Sequence, residues 1–245
     1  MPAQKLPIGQ AATSTTAPAY CIVGMYSDPA DAQFVRHVAI LAEESPLESG
    51  KAAAVWHMGP PLVAGKRTRM SRGATLECPI HLFATASLDL DDQEGIEDWL
   101  EEVDKEPPQD NPFKRYVVRP HWDWHTAPET ARPLYRRFSC AGFVLECYKS
   151  IGIDLVNTEE RGLPDVEFNI LVKAYPQIAR KRVLERQGLT RDDLGIPGDG
   201  PWRIVLAGYV FHALDRIRDE DPRPGAHKPA SVAEAHFPRP VEQRT

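Results

Sequence analysis

Over residues 20–88 the apolar positions come in short runs: "YCIVGMYS" (20–27), "RHVAILAEE" (36–44), "AAAVWHMG" (52–59) and "ECPIHLFATASL" (77–88). Runs of this length with β-branched content, parted by turn chemistry such as "SPLESGK", predict strands. Pro79 lacks a backbone donor, so the fourth run is expected at a sheet edge. The period then changes. In "DLDDQEGIEDWLEEVDKE" Ile96, Trp99, Leu100 and Val103 share one face behind an acidic first turn, which predicts a helix that "PPQDNP" breaks. A loop, "RPHWDWHTAPETARP", leads to a second helix opening at Ser139. There Phe143, Cys147 and Ile151 recur at i, i+4 and i+8, flanked by Val144 and Tyr148, as a core-facing stripe does. Residues 164–188 predict two helices divided near Pro176, the latter ending at Gly188. "PWRIVLAGYVFHALDRIRD" (201–219) fits a helix by spacing and a strand by its β-branched start. Strands grouped first and helices grouped later indicate an α+β fold.

Composition adds boundaries. Residues 1–18, rich in Ala, Thr and Pro, read as a flexible leader; 19–220 read as one domain; 221–245 read as a Pro-rich tail, and either tail is a candidate for recruiting a protein partner. The net charge of −6, with no basic tract, argues against a nucleic-acid partner. Cys21, Cys78, Cys140 and Cys147 are too dispersed for a disulfide framework and fit a reduced compartment. The first twenty residues hold no apolar run of a secretory signal, and the longest apolar run, 204–214, is too short for stable membrane insertion. A cytoplasmic place of synthesis follows as the expectation.

Chemistry concentrates at Cys140. Periodicity alone makes it one more buried core position, as cysteine often is. Its place changes the weight: with Ser139 as N-cap, Cys140 stands in the first turn, where free backbone N–H groups favour thiolate and can hold an oxyanion. Its thiol is therefore expected to ionise below the ordinary value. Gly142 would let another backbone approach that turn. A nucleophilic cysteine needs a base, and two histidines stand at strand ends, His37 opening "HVAIL" and His57 closing "AVWHMG". Adjacent antiparallel strands could bring their rings together; without Cys140 they are two ordinary strand-end histidines.

"SCAGFVLECYKSIGIDLV" resembles the catalytic-cysteine helix of the NlpC-like, papain-fold cysteine peptidases, and "RHVAILAEE" and "AVWHMG" resemble that family's two histidine strands. The order here, His37, His57, then Cys140, is that of the circularly permuted branch shared with lecithin:retinol acyltransferase-like proteins. The three patches span some 60 residues, and Ser139 and Ala141 depart from the family's usual Asp and Ser around the cysteine. The resemblance implies a permuted papain-like core, an antiparallel sheet packed on the cysteine helix. It implies Cys140 as nucleophile, His37 as base, His57 as the group orienting His37, and Tyr135 near the oxyanion site. The implied reaction is hydrolysis of a peptide or other acyl-amide substrate without a cofactor, peptidoglycan stem peptides being the commonest substrate there. Such a wall substrate would require a signal-less export route, as secreted effectors use. Thioester acyl transfer to a lipid or amine, and a non-catalytic binding module, are the rival readings.

Other features draw plainer readings. "HWDWH" (121–125) would set His121, Asp123 and His125 on one face if it were a strand, a geometry for metal. No further cluster at zinc spacing follows, so no metal is expected, and Trp122 and Trp124 are read as a pocket wall or lid beside the cysteine. "RKR" (180–182) reads as a solvated helix face, and His212 as a hydrogen-bonded core histidine.

Overall fold

In the computed structural model the described residues are 4–5, 15–25, 34–47, 53–59, 74–75, 82–84, 88–106, 112–213 and 226–236. The main sheet is built from β1 (Gln4–Lys5), β3 (Ile22–Met25), β4 (His37–Leu41), β6 (Ala54–Trp56), β7 (Ala74–Thr75) and β8 (Leu82–Ala84). A short ribbon joins β2 (Thr15–Ala17) to β5 (Ser45–Leu47). The six strands lie in the order β1-β8-β3-β4-β6-β7, each pair antiparallel. Alternation decides its two faces. Ile22, Val38, Ile40 and Trp56 join the large core, whereas Val23, Ala39, Leu41 and Val55 join a smaller one with Ala17 and Cys21.

The helices cover the first face. In α1 (Leu90–Asp104) Ile96, Leu100 and Val103 are buried, and the Asp89 carboxylate caps the start by accepting from the Asp92 N–H at 2.9 Å. Its neighbour α2 (Cys140–Ser150) buries Cys140 through Leu145, Cys147 and Tyr148, so its apolar surface is wider than one stripe. Between them β9 (Trp122–Thr126) and β10 (Pro133–Phe138) form a hairpin. The remaining elements are β11 (Asp165–Val166), α3 (Phe168–Ala174), α4 (Pro176–Ala179), α5 (Lys181–Arg186), β12 (Trp202–Arg203) and α6 (Ala207–Ala213). The molecule is mixed α+β with antiparallel sheets. No helix among the described residues is long and apolar enough to cross a membrane.

Several expectations are corrected. Residues 122–126, expected within a loop, are a strand paired with β10. The strand from the fourth run is not outermost, since β1 pairs with it; Pro79 itself lies outside the described residues. The region 164–188 holds three helices, with an added break at Arg180, whose backbone is extended. Of the ambiguous run at 201–219, the described residues 201–213 are both things, a two-residue strand followed by α6.

Both presumed tails enter the fold. In the leader, Ala17 is fully buried in β2. In the tail, residues 226–236 form a strap: the N–H of His227 donates to the Leu155 carbonyl at 3.1 Å, and the Ala235 carbonyl accepts from Val35 at 3.2 Å. Composition hid this because the strap is held by polar groups. The Glu234 carboxylate meets His227 Nε2 at 2.7 Å and accepts from the Ala230 N–H at 2.6 Å, with His227 and Glu234 both buried. His212 is a buried, hydrogen-bonded histidine, with Nε2 2.7 Å from the His236 carbonyl. Glu234→Ala strands two buried polar groups and is expected to lower stability by about 2–4 kcal/mol. Urea unfolding measures it; a loss under about 0.5 kcal/mol, the range of ordinary surface changes, would show the strap to be peripheral.

Candidate functional site

Ser139 sets the site in place. Its backbone is extended, its hydroxyl accepts from the Gly142 N–H at 2.8 Å, and its own N–H donates to the His121 carbonyl at 2.9 Å. The close approach anticipated at Gly142 is that of His121: a Cβ on Gly142 would lie 1.9 Å from the His121 carbonyl oxygen. Cys140 follows as the first residue of α2, fully buried.

The Tyr116 hydroxyl donates to its sulfur at 3.9 Å, and the backbone N–H groups of Val38 and Ala141 and the Tyr175 hydroxyl add donor groups that favour the thiolate. Tyr175 is itself fixed, its oxygen accepting from the Ala207 N–H at 2.9 Å. All four favour thiolate, yet burial outweighs them and pushes the thiol pKa above its ordinary value. The lowered thiol expected from the helix N-terminus is therefore corrected: partial charges that stabilise an anion in a half-exposed turn do not offset complete desolvation. Burial likewise keeps the Tyr116 and Tyr175 phenols protonated, as donors. Cys147 is buried packing, its thiol pushed well up.

The two histidines meet beside this sulfur's strand. His37 opens β4 one residue before Val38, and His57 follows β6; their rings lie edge-on, centroids 5.4 Å apart at 85°. Burial, with His57 as a second cause, pushes the His37 pKa down to about 3; burial pushes His57 down to about 4. Both rings are neutral near pH 7. Among the described residues neither nitrogen of His37 has a hydrogen-bond partner, so the expected bonds from His37 to Cys140 and to His57 are not formed. The physical reason is alternation: His37 falls in step with Ala39 and Leu41, while Val38 and Ile40 are the β4 residues in the core with Cys140. His57 thus does not fix the tautomer of His37 here.

The three aromatic residues assigned to the site make ring contacts of their own. Tyr135 is buried in β10 with its ring 4.7 Å from that of His125. Trp122 stacks on Phe138, and Trp124 is exposed, with the Arg136 guanidinium 5.6 Å above its ring. None of the three is among the groups that hydrogen-bond the sulfur. In the "HWDWH" segment, His121 Nε2 lies 3.4 Å from Glu146, and Asp123 accepts from Arg137 at 2.7 Å. Among the described residues no three side chains of metal-binding type gather.

Tyr116 and Tyr175 are the residues that sequence reasoning missed. Each is a tyrosine inside an otherwise ordinary stretch, and no spacing connects either to Cys140. No protein-family model matches the chain, and neither the curated proteins nor the solved structures contain a match to it.

Proposed function

We propose that the chain is a cysteine hydrolase that cleaves an amide through an acyl-enzyme on Cys140, on a permuted papain-like core. The observation that supports this reading most is the position of the sulfur: it opens a capped helix and accepts from the Tyr116 hydroxyl, and the N–H of Val38, the neighbour of a buried imidazole with two unsatisfied nitrogens, favours its thiolate. A buried ring left unpaired costs about 1–3 kcal/mol, and such costs concentrate where a group waits for a reacting partner.

The resting pair is thiol and neutral imidazole, not an ion pair. At rest His37 is in step with the face of β4 opposite Cys140, so the reaction requires substrate binding to turn His37, the first residue of that strand, towards the sulfur; hydrogen bonds between catalytic groups often form only in the complex. The sulfur attacks the carbonyl carbon as its proton passes to His37, and the backbone N–H of Cys140 donates to the oxyanion. The imidazolium returns that proton to the leaving amine as the C–N bond breaks. Water then attacks the thioester, giving its proton to His37, and the released thiolate recovers it, leaving a carboxylic acid product and the free enzyme.

Incubation with a p-nitrophenyl acyl ester should give p-nitrophenolate and a stoichiometric acyl adduct on the peptide containing Cys140. Cys140→Ala should abolish the adduct, and His37→Ala should slow its formation by about 100-fold or more. An adduct confined to other residues, or one that forms equally fast in His37→Ala, would sink the assignment. Alkylation by iodoacetamide at neutral pH should be slow, in keeping with the raised thiol. The rival reading, a non-catalytic binding module, draws on the complete burial of Cys140 and the missing bond from His37. It predicts no adduct.

A further inference from the structure

A cleft of about 360 Å³ opens where residues 118–121 pass against 194–196 and 203–205. Two hydrogen bonds close its base: the N–H groups of Val118 and Arg119 both donate to the Leu194 carbonyl, at 2.9 and 3.1 Å. Gly195 makes that approach available. Its φ is +72°, and a Cβ there would stand 1.6 Å from the Arg119 carbonyl oxygen.

Its lining is of two kinds. Val118 and Leu163 give an apolar floor, while Arg119, His121, Thr158 and Arg203 give a polar wall. Among the described residues no acidic side chain lines it, although the chain as a whole carries −6. Two wall residues are engaged by carboxylates: Asp165 accepts from Arg203 Nε at 2.9 Å, which leaves the Nη edge of that guanidinium unengaged among the described residues, and Glu146 lies against His121 Nε2. The Thr158 hydroxyl makes no hydrogen bond among the described residues. An apolar floor with a few convergent donors is the usual make-up of a small-molecule site. Guanidinium edges with a hydroxyl match the flat or tetrahedral oxygens of a carboxylate or phosphate.

We propose that this cleft binds a small organic anion, its carboxylate or phosphate held by Arg203 and Arg119 with Thr158, and its apolar part on Val118 and Leu163. The site is separate from Cys140 and stands whether or not that thiol reacts. Its outer wall is nevertheless tied to the start of α2, because the His121 carbonyl receives the Ser139 N–H.

Isothermal titration of the full chain with glutarate and with inorganic phosphate tests it. At least one probe should bind at a single saturable site, more weakly at higher salt. Arg203→Gln and Arg119→Gln should each weaken that binding by about tenfold, the loss of one charge-assisted hydrogen bond. Arg182→Gln, on exposed α5, should leave it unchanged. Binding by glutarate alone assigns a carboxylate ligand, and binding by phosphate alone assigns a phosphoryl one. Absence of saturable binding by both probes overturns the proposal. So does equal affinity in the wild type and Arg203→Gln, a half-exposed position where circular dichroism can verify folding.

Discussion

Lowering the pH from 6.5 towards 4 is expected to destabilise the folded chain by several kcal/mol, and His37 and His57 are expected to cause most of that loss. His37 is buried and His57 partly buried, with pKa values pushed down to about 3 and about 4, against 6.5 for an ordinary imidazole. The folded values lie below the unfolded ones, so the unfolded chain takes up protons first as acid is added. Stability from this source is fully present above pH 6.5. It is lost as the pH falls, until His57 itself protonates near 4 and His37 near 3. The slope is about 1.4 kcal/mol per pH unit for each imidazole protonated only when unfolded, and the two act over the same window. Urea midpoints at a series of pH values measure the effect. His37→Gln and His57→Gln should each remove about half of the slope between pH 6 and 4.5. Carboxylates add a background of their own, so the comparison with the variants decides the matter. A slope unchanged in both variants would mean that the rings are hydrated or already charged in the folded chain.

The same burial marks where sequence reading succeeds and where it stops. The strands through Ile22, Val38, Ile40 and Trp56 were legible because a short apolar run bounded by turn residues is a local property, and the sheet buries both of its faces. The cap at Ser139 and the close approach at Gly142 were legible for a similar reason, since a first turn has few chemical solutions. The sign of the thiol shift was not legible. It depends on how completely α2, β4, Tyr116 and Tyr175 enclose Cys140, and those residues come from far apart in the chain. Side-chain direction at His37 lies between these cases. Its strand was foreseen, but facing the cysteine helix requires a particular parity, and a one-residue difference in parity turns a side chain to the opposite face. The β9–β10 hairpin escaped although "WDWHT" alternates, with Trp122 and Trp124 on one face and Asp123 and His125 on the other, because the stretch is short and carries no aliphatic β-branched residue. The strap at 226–236 escaped because it lies in a Pro-rich, polar stretch with little apolar periodicity, while a buried His227–Glu234 contact holds it.

Gly142→Ala sets two local effects against each other, and their magnitudes give the sign. Within a helix Ala is favoured over Gly by about 1 kcal/mol, so propensity alone predicts a more stable chain. The added methyl, however, would lie 1.9 Å from the oxygen and 2.7 Å from the carbon of the His121 carbonyl. Both are backbone atoms and have no rotamer to adopt, so β9 must move away from α2. That movement stretches the 2.9 Å bond from the Ser139 N–H to the same carbonyl, and it disturbs the 2.8 Å cap on Gly142. Overpacking of this kind with loss of a cap is expected to cost about 3–4 kcal/mol net, a fall of roughly 10 °C in Tm for a chain of this size. Gly95→Ala is the matched control. It lies within α1, and its Cβ would meet only the Ile151 Cγ2 methyl at 2.8 Å, the end of a half-buried side chain that can turn. Propensity and the small displacement nearly cancel there, and Tm should stay within roughly 3 °C of the wild type. If Gly142→Ala melted at or above the wild-type temperature, His121 could not be docked on the first turn of α2. The placement of the Cys140 sulfur against Val38 would then lose the contact that seats the helix.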